Sequence, residues 1–196
     1  MIIVGLTGGI GSGKTTVGKL FKKLGIPVYN SDKQAKKLMK SSKTVRNDVK
    51  KLLGSEAYVD NKLNKVYVAS KVFNNKDLLQ QLNAIIHPAV RKHFQKWVKK
   101  KKSSYVIQET AILLENSMQY FYDKIILVTA PEGVRIARIK ERDSSTDDQI
   151  KARMQNQWND KRKIPLADFI IENKELNQTV IKVKEVHGLL LDHSGH

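Results

Sequence analysis

Lys14 and Thr15 close the run Gly8-Gly9-Ile10-Gly11-Ser12-Gly13-Lys14-Thr15, a full match to the pattern G-x-x-x-x-G-K-[ST]. The chemistry such a run serves is the binding of a nucleoside triphosphate. Glycines let backbone N–H groups curl around phosphate oxygens with no Cβ in the way. The following residues enter a helix, whose unpaired N–H groups and dipole favour anions. Lys14 is expected to reach the β- and γ-phosphates and the Thr15 hydroxyl to hold Mg2+. Gly9, Gly11, Ser12, Gly13 and Thr16 complete the expected ATP-binding loop. The flanks fit: residues 1–6 are a short apolar run, and Val17, Leu20, Phe21 and Leu24 have helical spacing. Strand, glycine turn and helix are the context this motif needs.

Other chemistry-bearing residues follow apolar runs, where ligands bind in open parallel sheets. Asp32 comes just after Tyr29-Asn30-Ser31. Phosphoryl transfer to a hydroxyl needs a group to orient it and take its proton, and an Asp suffices. A helix N-cap is the other reading of Asp32, and one residue can serve both. Glu109 ends a third apolar run, where an acid would support Mg2+. Glu115, six residues on, is either a substrate hydrogen-bond acceptor or a surface carboxylate. In His87-Pro88-Ala89-Val90-Arg91, Pro88 suits the first turn of a new helix that carries Val90, Phe94, Trp97 and Val98 inward. His87 would then sit at the helix start with Arg91 one turn on, a pair of donors for an anionic substrate. Arg138 and Arg142 are four residues apart, so one helix face could aim both guanidinium groups at a phosphate cluster. Glu141 and Asp143 support the competing picture of an exposed, ion-paired helix.

The elements that must position these residues follow from the same pattern. Apolar runs at 2–6, 28–30, 105–109, 125–129 and 169–172 read as buried parallel strands, separated by helical spacings. The expected fold is α/β, with a five-stranded parallel sheet covered on both faces. Two intervals exceed a simple crossover. Residues 31–104 are helix-rich, and 131–163 form a charged segment whose polar helical hairpin would suit a mobile lid. At 196 residues the chain makes one compact domain with inserted subdomains. The absence of cysteine excludes disulfides and thiolate metal sites. With no long apolar run and no signal-peptide pattern, a cytoplasmic protein away from membranes is expected. The net charge of +17 suits polyphosphate or nucleic-acid partners and equally a Lys-rich solvated surface. Aromatic residues make up 7% and form no stacking platform, which argues against nucleic acid.

Taken together the chain resembles the dephospho-CoA kinase family over nearly its full length. The resemblance rests on the opening Gly5-Leu6-Thr7-Gly8-Gly9-Ile10-Gly11-Ser12-Gly13-Lys14-Thr15-Thr16, on Leu24-Gly25-Ile26-Pro27-Val28 and Asp32, and on His87-Pro88. It continues through Ile112-Leu113-Leu114-Glu115, Arg138 to Asp143, and Ala167-Asp168-Phe169-Ile170-Ile171-Glu172-Asn173. It implies transfer of the ATP γ-phosphoryl group to the ribose 3′-hydroxyl of dephospho-CoA. It also implies a P-loop NTPase core (residues 1–30, 104–130 and 164–196), a helical acceptor domain (31–103) and a lid (131–163). Asp32 then matches the catalytic carboxylate, His87 and Arg91 fall on the substrate side, Arg138 and Arg142 in the lid, and Asn173 near adenine. The expected assembly is a monomer or weak homo-oligomer. The chain departs from the family's pattern at three places: Asn30 replaces the first acid of Asp-Ala-Asp, Ala111 replaces a proline, and Lys174-Glu175 stands where a glycine is common. Other small-molecule kinases, a polynucleotide kinase and a regulatory nucleotide sensor are the competing readings.

Overall fold

The protein is described from a computed structural model, over residues 1–73, 75–143 and 145–194. In chain order the strands are β1 (Ile2–Gly8), β2 (Val28–Asn30), β3 (Tyr58–Val59), β4 (Lys62–Leu63), β5 (Tyr105–Glu109), β6 (Lys124–Thr129) and β7 (Phe169–Glu172). The helices are α1 (Lys14–Lys23), α2 (Ser31–Ser41), α3 (Lys43–Leu53), α4 (Lys65–Phe73), α5 (Lys76–Val98), α6 (Glu132–Asp143), α7 (Asp147–Gln155), α8 (Asp160–Lys163) and α9 (Leu176–Ser194). They divide into two compact units, Met1–Asn30 with Lys101–His196, and Ser31–Lys100.

The first unit is built on a five-stranded sheet in the order β2-β5-β1-β6-β7, every neighbouring pair parallel. The five apolar runs predict these strands closely, because a parallel sheet covered on both faces leaves almost no polar position. On one face Val4, Leu6, Ile107, Ile126, Val128 and Ile171 pack with Val17 and Phe21 of α1 and with Val183, Val186 and Leu190 of α9. Each such side chain contributes roughly 1.5–3 kcal/mol when fully buried. The other face gathers Leu113, Leu114 and Ile125 with Tyr122 and Trp158. Gly5 lies on that face, and a Cβ there would sit 2.5 Å from Leu113 Cδ1. The first glycine of the opening motif therefore serves packing rather than phosphate.

The second unit is helical, with α5 packed against α2, α3 and α4. It also holds a β3–β4 hairpin that periodicity does not predict, paired antiparallel through Tyr58–Leu63 and Val59–Lys62. Its two-residue turn, Asp60-Asn61, takes positive φ of 48° and 63°, the conformation that Asp and Asn tolerate best in tight hairpins. One expectation fails here. No helix starts at Pro88; α5 runs through it for 23 residues, with Pro88 inside. The proline forfeits one backbone bond, at about 3 kcal/mol. However, Leu82, Ile86, Val90 and Phe94 form a single buried stripe across it, and that burial outweighs the break. His87 consequently sits in mid-helix.

Candidate active site

Between β1 and α1 the chain turns through Gly11 and Gly13 at φ of 78° and 90°, values that side chains rarely adopt. Gly13 caps α1 without a side-chain bond, and α1 has no acid of its own in its first turn. Lys14 bends back over the loop: Nζ donates to the carbonyls of Gly8 (2.7 Å) and Gly9 (3.1 Å). The ammonium is thus stationed over the concavity where phosphate oxygens would replace those carbonyls. Ser12 is fully buried, and its Oγ lies 2.8 Å from where a Cβ on Gly8 would be. Thr16 follows on the exposed side of α1, its N–H bonded to the Gly13 carbonyl.

The Thr15 hydroxyl donates to Glu109 Oε1 at 2.6 Å. Glu109 is held at the end of β5, level with Leu6 of β1 and Asn30 of β2, and is 7% exposed. One hydroxyl and one carboxylate are hard oxygen donors, the set that Mg2+ takes when phosphates and water supply the rest. Among the described residues no group of three or more His, Asp or Glu forms a metal cage. A divalent ion here would therefore be shared between protein and nucleotide.

The arginines of α6 have different partners in this structure. Arg138 Nη1 donates to the Asn173 carbonyl (2.9 Å) and Nη2 to that of Lys174 (3.4 Å), just past β7. Arg142, one turn on, makes two bonds to Asp143, at 2.7 and 2.8 Å, with 60% of its side chain exposed. Arg153 of α7 binds the same carboxylate at 3.0 Å. Hydrogen bonds from Arg142 and Arg153 hold the Asp143 carboxyl far below the usual carboxylate range. Asn173, only 3% exposed, ties the phosphate loop to α9: Nδ2 donates to the Ser12 carbonyl at 2.9 Å and Oδ1 accepts from Thr179 at 3.0 Å. Glu115 accepts an ion pair from Lys163 of α8 at 2.6 Å and a bond from the Trp158 N–H at 3.3 Å. Lys163 is wholly buried.

Asp32, His87 and Arg91 belong to the helical unit. α2 begins directly after β2, so Asp32 stands in its first turn, exposed, one position inside the helix rather than at its cap. His87 and Arg91 lie one turn apart on α5. Desolvation, and then the Arg91 charge, lower the His87 pKa from its usual 6.5.

The sequence model of the dephospho-CoA kinase family matches residues 2–178. The chain belongs to the dephospho-CoA kinase family. A dephospho-CoA kinase of Bacteroides fragilis is 36% identical over 190 residues, covering 96% of this chain and 93% of that one. One from Porphyromonas gingivalis is 41% identical over 157 residues, 80% of this chain and 78% of its own length. In three dimensions the crystal structure of TT1252 from Thermus thermophilus matches with a TM-score of 0.88 at 28% identity, over 97% of both chains. The sequence points to the loop, to Glu109 and to Asp32; it does not point to Arg135, which also touches the loop. Its Nε donates to the Ile10 carbonyl at 2.9 Å. Sequence spacing passes over Arg135 because its hydrogen-bond acceptor is a backbone carbonyl 125 residues away.

Proposed function

We infer that this dephospho-CoA kinase family member transfers the γ-phosphoryl group of ATP to the ribose 3′-hydroxyl of dephospho-CoA, giving coenzyme A and ADP. The observation that carries the reading is the Lys14 and Thr15–Glu109 arrangement at the head of α1, a donor set for a triphosphate in a chain of this family. Lys14 and the loop N–H groups from Gly9 to Thr16 bind and orient the β- and γ-phosphates. Thr15 and Glu109 would hold Mg2+, which would supply charge neutralisation on those phosphates. Arg138 lines the nucleotide beside Asn173. Arg142 turns from Asp143 toward the transferred group as the 131–163 lid closes, and steadies its developing charge. Asp32 orients the acceptor hydroxyl and takes its proton on a carboxylate oxygen. His87 and Arg91 bind the anionic part of the acceptor. Glu115 serves that substrate indirectly, by fixing helix α8 at the end of the lid through Lys163. With both substrates small and anionic, the reaction needs no membrane and belongs to the cytoplasm; among the described residues no helix is long and apolar enough to cross one.

A coupled ADP-release assay across dephospho-CoA, adenosine, AMP, shikimate and a 5′-hydroxyl oligonucleotide tests this. Turnover is expected with dephospho-CoA alone, dependent on Mg2+, and phosphorus NMR of the product should show a new 3′-phosphomonoester. Selective turnover of any other acceptor overturns the reading.

A further inference from the structure

Both backbone groups of Ile10, at the crest of the phosphate loop, are held by side chains from residues 131–163. Its N–H donates to Gln157 Oε1 at 2.8 Å, and its carbonyl accepts from Arg135 Nε at 2.9 Å. The two side chains come from opposite limbs of the helical segment, Arg135 from α6 and Gln157 from the turn between α7 and α8. Arg135 also roofs the loop. A Cβ on Gly9 would lie 2.3 Å from its Nη2, and one on Gly11 would lie 2.6 Å from its carbonyl oxygen. Gly11 is therefore required by the α6 backbone as well as by its positive φ, while Gly9 leaves room for the Arg135 guanidinium. Asp160 faces Arg135 Nη1 at 3.8 Å, and the arginine side chain is 11% exposed. A guanidinium so enclosed, spending its Nε on one carbonyl, is not a solvated surface charge.

We propose that Arg135 is a positioning residue for the nucleotide: with Gln157 it clamps Ile10 and pre-forms the phosphate loop before ATP arrives. A glycine-rich loop left unclamped loses roughly 1–2 kcal/mol of backbone entropy per residue when a ligand orders it. The clamp takes that cost out of binding, so its energetic signature lies in ATP affinity. The inference rests on the ATP reading above.

The test measures ATP and ADP binding directly by calorimetry, with steady-state kinetics and thermal unfolding, on Arg135→Ala, Arg135→Lys and Gln157→Leu. Arg135→Ala and Gln157→Leu should each weaken ATP binding and raise KM for ATP by about tenfold. Their kcat should stay within about threefold of the parent's, with KM for dephospho-CoA unchanged. Arg135→Lys should recover most of the loss, since an ammonium can still reach the Ile10 carbonyl. Unchanged ATP affinity in folded Arg135→Ala overturns the clamp. So does a fall in kcat of a hundredfold or more at constant KM for ATP, which would make Arg135 a ligand of the reacting group. If Arg135→Ala does not fold, Gln157→Leu decides through the other Ile10 group. An unmodified protein that binds no ATP would instead sink the functional reading.

Discussion

At the scale of single residues, the site is a set of polar groups whose partners the fold supplies. Thr15 has Glu109, Lys14 has the loop carbonyls, and Glu115 has Lys163. Asp32 is the residue whose role kinetics can isolate. In Asp32→Asn, ATP and dephospho-CoA should still bind while kcat falls by roughly 10²–10⁴-fold, the range for losing a general base; an unchanged kcat would remove it from the mechanism. Lys163→Met tests the buried pair. Leaving the Glu115 carboxylate uncompensated should destabilise the protein by about 3–5 kcal/mol in urea titration, and Lys163→Met with Glu115→Leu should regain much of it. A third expectation concerns pH. The Tyr105 hydroxyl is 2.6 Å from His187 Nδ1. Burial pushes the Tyr105 pKa well up, so the phenol stays protonated and donates to a neutral imidazole. Burial likewise lowers the His187 pKa from 6.5. The unfolded chain then binds a proton at a pH where the native one does not. Stability should be level above about pH 6.5 and fall as pH drops from there to the lowered value. His187→Gln keeps an acceptor without a titrating group, and should flatten that limb of the stability–pH curve.

At the scale of elements, α5 shows tertiary burial overriding local preference. Pro88 removes the N–H that would bond the Ala84 carbonyl, yet the helix persists from Lys76 to Val98. Pro88→Ala should therefore stabilise the protein, by about 1–3 kcal/mol in thermal or urea unfolding. A loss of stability would instead show that the packing of α5 depends on the shape the proline imposes. α6 teaches the complementary lesson. Residues 135, 138 and 142 share one short helix, but Arg135 faces the loop, Arg138 faces the chain after β7, and Arg142 folds onto Asp143. Spacing of four residues puts side chains on one face without giving them one target.

At the scale of the molecule, charge is uneven. Of the 36 Lys and Arg, 17 lie in residues 31–100, against 5 of the 19 Asp and Glu. The helical unit thus carries most of the excess of +17. A positive field of this kind accelerates the arrival of anionic substrates and is screened beyond about 10 Å at 0.1 M salt. Raising salt from about 20 to 200 mM should lower kcat/KM for dephospho-CoA severalfold while kcat changes little. A kcat/KM indifferent to salt would reduce the lysines to a solvating coat.

Much of this protein is written locally. The loop from Gly8 to Thr15, the five buried strands and the acid that ends β5 all follow from residue type and period, since a parallel sheet and a phosphate loop impose strict local rules. The hairpin at Asp60-Asn61 was legible too, in turn residues that a search for helical spacing passes over. What sequence leaves undecided are pairings across long separations. Glu115 with Lys163, Asn173 with Ser12, and Arg135 with Ile10 join segments 48, 161 and 125 residues apart. No periodicity encodes such contacts, because they arise only when the sheet order sets β1, β6 and β7 side by side and brings the helical segment down over the loop. Residue types announced a phosphate site; the tertiary structure decided which side chains hold it in shape.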